Sequence, residues 1–110
     1  MRVFSTPDPA NEAAVVTLVG QLDIDTRATL DAALTEQLST GTHRIVIDVS
    51  GLTFCDSTGL SALLVAYRQC VAKGGYVHLA GPSDFLLGIL RAVGLLGVIP
   101  VFDDVPSALR

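Results

Sequence analysis

The chain has 110 residues; half are hydrophobic, only 16% are charged, and the formal net charge is -4. That length fits one domain spanning residues 1–110, able to bury a core without disulfides or structural metal, and the low charge excludes extended disorder. The acidic balance, with seven Lys and Arg scattered along the chain, opposes attraction to phosphate backbones and argues against nucleic acid as a partner.

In chain order, "MRVFST" has no apolar run long enough for a secretory signal and suits an antiparallel edge strand, with a turn in "TPDPANE". "AVVTLVG", residues 14–20, is valine-rich and stopped by glycine, so it reads as a strand. A helix follows, capped by Asp25 or Thr26, with Leu30, Ala33, Leu34 and Leu38 at helical spacing until Gly41. "RIVIDVS", residues 44–50, is apolar on both faces, as in a sheet covered by helices. The next helix opens inside "FCDSTGLSALL", keeps Leu60, Leu63, Leu64, Tyr67 and Val71 within an arc of about 100°, and ends at "KGG". "YVHLA" then reads as strand, "PSDFLLGILRAVG" as helix capped by Ser83 or Asp84, and "VIPVF" as a short edge strand where Pro100 is tolerated. Strands alternating with helices predict an α/β layer with right-handed crossovers.

The stretch Phe85–Phe102 carries a single charge and invites a membrane reading. On a helical wheel, however, Phe85, Leu86, Ile89, Leu90 and Val93 share an arc of roughly 140° opposite Asp84, Gly88 and Arg91. It is therefore an amphipathic helix, and no membrane association is expected; Leu87 falls outside the arc and is expected to be exposed. The two cysteines, Cys55 and Cys70, lack metal-ligand spacing, so no metal or other cofactor is expected, and a reducing, cytoplasmic setting is the simpler inference. Cys70 reads as a small apolar helix residue; for Cys55 a redox-sensitive thiol beside Asp56 is the alternative. His43 and His78 have no neighbouring ligand type and read as ordinary surface or half-buried residues.

The quoted stretch opens a helix with Asp56, Ser57, Thr58 and Gly59. Asp, Ser and Thr are good N-caps, so capping alone accounts for the first three, but glycine inside a helix costs roughly 1 kcal/mol. A serine hydrolase elbow needs G-x-S-x-G, and Cys55 stands where its first glycine belongs. An aspartic-protease half would read Asp-Ser/Thr-Gly, whereas an extra residue separates Asp56 from Gly59. A phosphoaspartate receiver would use Asp48 as acceptor with an acidic pair after the first parallel strand, and only Asp23 and Asp25 lie there. The remaining chemistry makes Ser57 a substrate: a phosphate would carry about -1.5 to -2 charge at a helix N-terminus, where free N–H groups and the dipole favour anions. Gly59 would then let another protein's backbone approach the serine.

With "VVTLVGQLDIDTRATL", "RIVIDVSGLTFCDSTGLSALL", "GGYVHLAG" and "LRAVGLLGVIPVF" together, nearly the whole chain resembles the anti-sigma factor antagonists built on the bacterial STAS domain. The resemblance implies a single STAS-like α/β layer, a mixed four- to five-stranded sheet with about four helices mainly on one face. It implies a non-enzymatic regulator of transcription that binds an anti-sigma factor when unphosphorylated and so frees a sigma factor. The anti-sigma factor would be an ATP-dependent serine kinase, and a PP2C-like phosphatase would reverse the mark. Ser57 matches the phosphoacceptor, Asp56 and Asp23 the acids near it, and Thr58 a position held by Ser or Thr. Two departures stand out: Cys55 replaces a larger apolar residue, and "DDVPSALR" leaves room for only a short terminal helix.

Ser57, Ser61, Val65 and Arg68 lie within roughly 80° of one another beside the core stripe. This edge, with Asp23, Asp56, Thr58, Gly59 and, at its margin, Ala62, is expected to dock the partner. Two alternatives remain: an enzyme, which would need a base near Ser57 and has only His78 as a candidate, with nothing in the spacing to bring it there, and a phosphorylation-independent interaction module in a larger sensory or membrane-linked assembly. Nucleotide binding has no Gly-rich loop of the usual spacing to support it.

Overall fold

The computed structural model describes residues 1–110. Strands β1 (Arg2–Asp8), β2 (Ala13–Leu22), β3 (Arg44–Cys55), β4 (Tyr76–Ala80) and β5 (Val101–Phe102) form one sheet in the order β1-β2-β3-β4-β5. β1 runs antiparallel to β2, as the N-terminal sequence suggests, and the other pairs are parallel. Parallel neighbours need crossovers, which α1 (Arg27–Ser39), α2 (Ser57–Ala72) and α3 (Asp84–Ala92) supply; α4 (Val105–Leu109) closes the chain.

The two-residue period of the strands divides the core. Val16 and Leu18 on β2, Ile45, Ile47 and Val49 on β3, and Val77 and Leu79 on β4 join Leu30, Leu34, Leu63, Leu86 and Leu90 of the helices in one buried cluster. Val46 and Ala80 point the other way and meet Ala108 of α4. Three helices therefore cover one face and the short terminal helix part of the other, so "DDVPSALR" packs after all.

Four expectations about elements need correction. β3 continues five residues beyond Ser50, with register shifts against β2 between Thr17 and Val19 and between Gly20 and Gln21. Asp48 stabilises the first irregularity: its Oδ1 accepts from the Ser50 N–H at 3.0 Å and from Ser50 Oγ at 2.7 Å, so this carboxylate stitches a bulge. "VIPVF" contributes only Val101 and Phe102 as strand, because a turn at Leu95–Gly97 precedes it and Pro100 has no N–H to pair, although its carbonyl accepts from Leu79. On α3, Leu86 and Leu90 are buried while Phe85 and Val93 stay exposed, and Leu87 is half-buried. The buried side of α2 is rotated toward its small residues, with Gly59, Ala62, Ala66 and Cys70 inside and Val71 exposed.

Both cysteines are free and buried. Burial, helped by the Asp56 charge, pushes the Cys55 thiol up to about 11, so the thiolate is scarce at neutral pH, which argues against the redox-sensitive alternative. No helix is long and apolar enough to cross a membrane.

Candidate functional site: the N-terminus of α2

β3 delivers the chain to Asp56, whose extended backbone makes it the N-cap of α2. Its Oδ1 accepts from the Gly59 N–H at 2.8 Å, satisfying one donor of the first turn, and its carbonyl accepts from Leu60. The same carboxylate reaches sideways, Oδ2 accepting from the Ile24 N–H at 3.3 Å, while the Asp56 N–H donates to the Leu22 carbonyl at 3.2 Å. Asp56 thus clamps the β2–α1 loop to the start of α2.

That loop is ordered by Asp23. Its Oδ1 accepts from the N–H groups of Asp25 and Thr26 at 3.0 and 3.1 Å, and the Thr26 hydroxyl donates to the Gln21 carbonyl at 2.8 Å. Thr26 is the residue before α1 but makes no side-chain cap bond into it, so the loop itself is what the Asp23–Thr26 pair builds. Asp25 and Ile24 are left exposed, Ile24 at 72%.

Gly59 is buried. A Cβ there would lie 2.5 Å from the Leu22 carbonyl oxygen and 2.9 Å from both Cys55 Sγ and Leu22 Cγ. The close approach that requires glycine is therefore made by this chain's own β2, which corrects the expectation of an incoming partner backbone. The same contact explains Cys55: a larger side chain would meet Gly59 and Leu22.

Ser57 is the first residue of α2, exposed, and relieved of capping by Asp56. Ser61 and Arg68 are exposed on the same helix, Thr58 and Val65 are half-buried, and Ala62 is fully buried at 0%, so Ala62 does not reach the surface of this edge. An open groove of about 290 Å³ borders Ser57 and is lined also by Leu60, Ser61, Leu64, Val93 and Leu95. Sequence spacing missed Val93 and Leu95, because they border the same groove as Ser57 from a separate segment of the chain.

His78 lies elsewhere. It projects from β4 on the face away from α2, stacked on Tyr76 at 3.8 Å, with Nδ1 2.7 Å from the Ala108 carbonyl. A base–nucleophile pair with Ser57 is therefore not formed. No cluster of His, Cys, Asp and Glu is arranged to hold a metal ion.

A mixed five-stranded layer with three helices on one face and an exposed serine at the start of α2 defines the class of fold, and the comparisons agree on that fold. The family model described as "Mlab, STAS domain" matches residues 5–100, and the chain belongs to the STAS domain family. It is 29% identical over 99 residues to the anti-sigma F factor antagonist of Paenibacillus polymyxa, covering 86% of this chain and 82% of that one. The crystal structure of an anti-sigma factor antagonist from Mycobacterium paratuberculosis superposes with a TM-score of 0.86 at 21% identity, over 98% of this chain and 90% of the other. The unphosphorylated form of the anti-sigma factor antagonist SpoIIAA gives 0.72 at 25% identity, over 94% and 89%. Its phosphorylated form, from Bacillus, gives 0.75 at 23%, over 98% and 96%.

Proposed function

We propose that this protein is an anti-sigma factor antagonist acting as a partner switch in the cytoplasm. The unmodified α2 N-terminal face binds an anti-sigma factor and releases the sigma factor that it holds. Phosphorylation of Ser57 ends that binding. The observation that carries the proposal is the exposed Ser57 at the head of α2, with capping assigned to Asp56, so that Ser57 is available to a kinase.

In this reading the anti-sigma factor is also an ATP-dependent serine kinase. Ser57 Oγ attacks the γ-phosphorus of ATP, the bond to the β-bridging oxygen breaks, ADP leaves, and the hydroxyl proton passes to a base on the kinase. A PP2C-like phosphatase hydrolyses the ester. The phosphate brings about -1.5 to -2 charge to a face that otherwise meets an acidic or uncharged partner surface through Ser57, Thr58, Ser61 and Val65. Like charges about 4 Å apart repel by about 4 kcal/mol at an effective dielectric of 20, and 1.4 kcal/mol is already tenfold in affinity. A local charge switch therefore suffices without refolding.

The test is to incubate the protein with candidate anti-sigma kinases from its own cell and ATP, and to locate phosphate by mass spectrometry. Phosphate on Ser57, constitutive binding by Ser57→Ala and weakened binding by Ser57→Asp with unchanged circular dichroism are expected. Equal affinity of the fully phosphorylated and unmodified proteins for the same regulator would overturn the proposal.

A further inference from the structure

β1 lies at the edge of the sheet, so its outer row of backbone N–H and C=O groups has no strand beside it. It is regular along its whole length, pairing one to one with β2 from Arg2 with Val19 to Asp8 with Ala13, without a bulge. The opposite edge, β5, has only two residues behind Pro100 and offers little to pair with. Exposed edges are normally blunted by charges, proline or bulges, yet on β1 the charges and the proline stand at the ends, as Arg2, Pro7 and Asp8, and Val3–Thr6 between them carries neither. Val3 packs toward the large core, so Arg2, Phe4, Thr6 and Asp8 share the other face. Phe4 is 49% exposed there, with the Arg2 guanidinium 5.7 Å from its ring centre.

We infer that β1 pairs antiparallel with β1 of a second copy of this chain, about a twofold axis at Ser5, joining the two five-stranded sheets edge to edge. Charge complementarity selects both the occupant and the register. A cation at one end of the strand and an anion at the other, on one face, become two ion pairs when the strand meets itself antiparallel: Arg2 of each copy stands opposite Asp8 of the other. An axis at Phe4 would set Arg2 opposite Thr6 and pair no charges. With the axis at Ser5, Phe4 faces Thr6 of the other copy, and the two Phe4 side chains are diagonal neighbours at roughly 7–8 Å, within reach of aromatic rings. Pro7, which has no N–H, falls opposite Val3 near the ends, so the central rungs keep their donors. One strand pair is a small interface, and the dimer is therefore in reversible equilibrium with the monomer. Because α2 packs over β3 and β4, this dimer leaves the Ser57 face of both copies open.

The test is sedimentation equilibrium of the full chain from micromolar to millimolar concentration. The average mass is expected to rise from 11.5 kDa toward twice that value. Arg2→Asp and Asp8→Arg, each placing like charges opposite one another at both ends, are expected to weaken dimerisation about tenfold, and the double variant carrying both is expected to restore it. The double variant separates lost pairing from local misfolding, since it also lacks the Asp8 carboxylate that accepts from Asn11 Nδ2 in the native turn. Ser5→Cys is expected to cross-link as a disulfide dimer under copper phenanthroline and Val3→Cys to stay uncross-linked, as does the wild type, whose two cysteines are buried. A mass that stays at 11.5 kDa throughout would overturn the inference. So would a dimer that the single charge reversals leave intact, or one that Val93→Glu on the helical side abolishes.

Discussion

At Gly59 the missing side chain is filled by the Leu22 carbonyl, and a backbone oxygen cannot swing aside as a side-chain tip would. Gly59→Ala is therefore expected to lose stability by up to about 2 kcal/mol, the roughly 1–3 kcal/mol of overpacking being offset in part by a gain in helix propensity of about 1 kcal/mol. Urea denaturation midpoints measure it. The cysteines make a second residue-scale prediction. Burial raises both thiols from 9.0 to about 11 in the folded protein, with Asp56 adding to the effect at Cys55. Between those values the unfolded chain has released protons that the folded chain retains, so alkali favours unfolding. The thiols' contribution to stability is expected to be level below pH 9 and to decline from pH 9 to about 11, and the alkaline decline is expected to be smaller in Cys70→Ala when each protein is compared with its own value at neutral pH. Ser57, Asp56 and Asp23 were legible in the sequence as a cluster of types. That Asp56 and Asp23 are engaged with backbone, leaving Asp25 outward, was not, since hydrogen-bond partners depend on where two loops meet.

Between elements, the Asp56 carboxylate is the joint that holds the β2–α1 loop against α2, and it does so over 32 residues of sequence separation. Asp56→Ala removes a helix cap and strands the Ile24 N–H, so a loss of about 1–2 kcal/mol is expected, with faster amide exchange at Ile24 and Gly59 in hydrogen-exchange experiments. Asp56→Asn retains an acceptor oxygen and is expected to recover most of the stability. Helix identities were readable from spacing and caps, as Ser83 shows by accepting from the Leu86 N–H at 3.2 Å. Helix rotation was less so. The α2 wheel weights Leu64 and Val71 by hydropathy, yet the sheet lies so close that small residues occupy the inward side.

For the molecule as a whole, the sheet separates two apolar layers of unequal size, and the smaller is closed by α4 through Ala108 against Val46 and Ala80. Removing residues 104–110 exposes that layer and leaves His78 without its Ala108 partner, so the melting temperature is expected to fall by several degrees. Binding of a regulator at α2, on the far face, is expected to persist in the same truncated protein, provided the measurement is made below its melting temperature. The sequence by itself determined the alternation of strands and helices, the antiparallel start, and a serine at a helix head beside two acids, because these follow from two- and 3.6-residue periods and from capping chemistry within a few neighbouring residues. Only the tertiary structure decided why Gly59 is glycine, which acid faces outward, and that Val93 and Leu95 border Ser57, because each of these is set by the distance between segments remote along the chain.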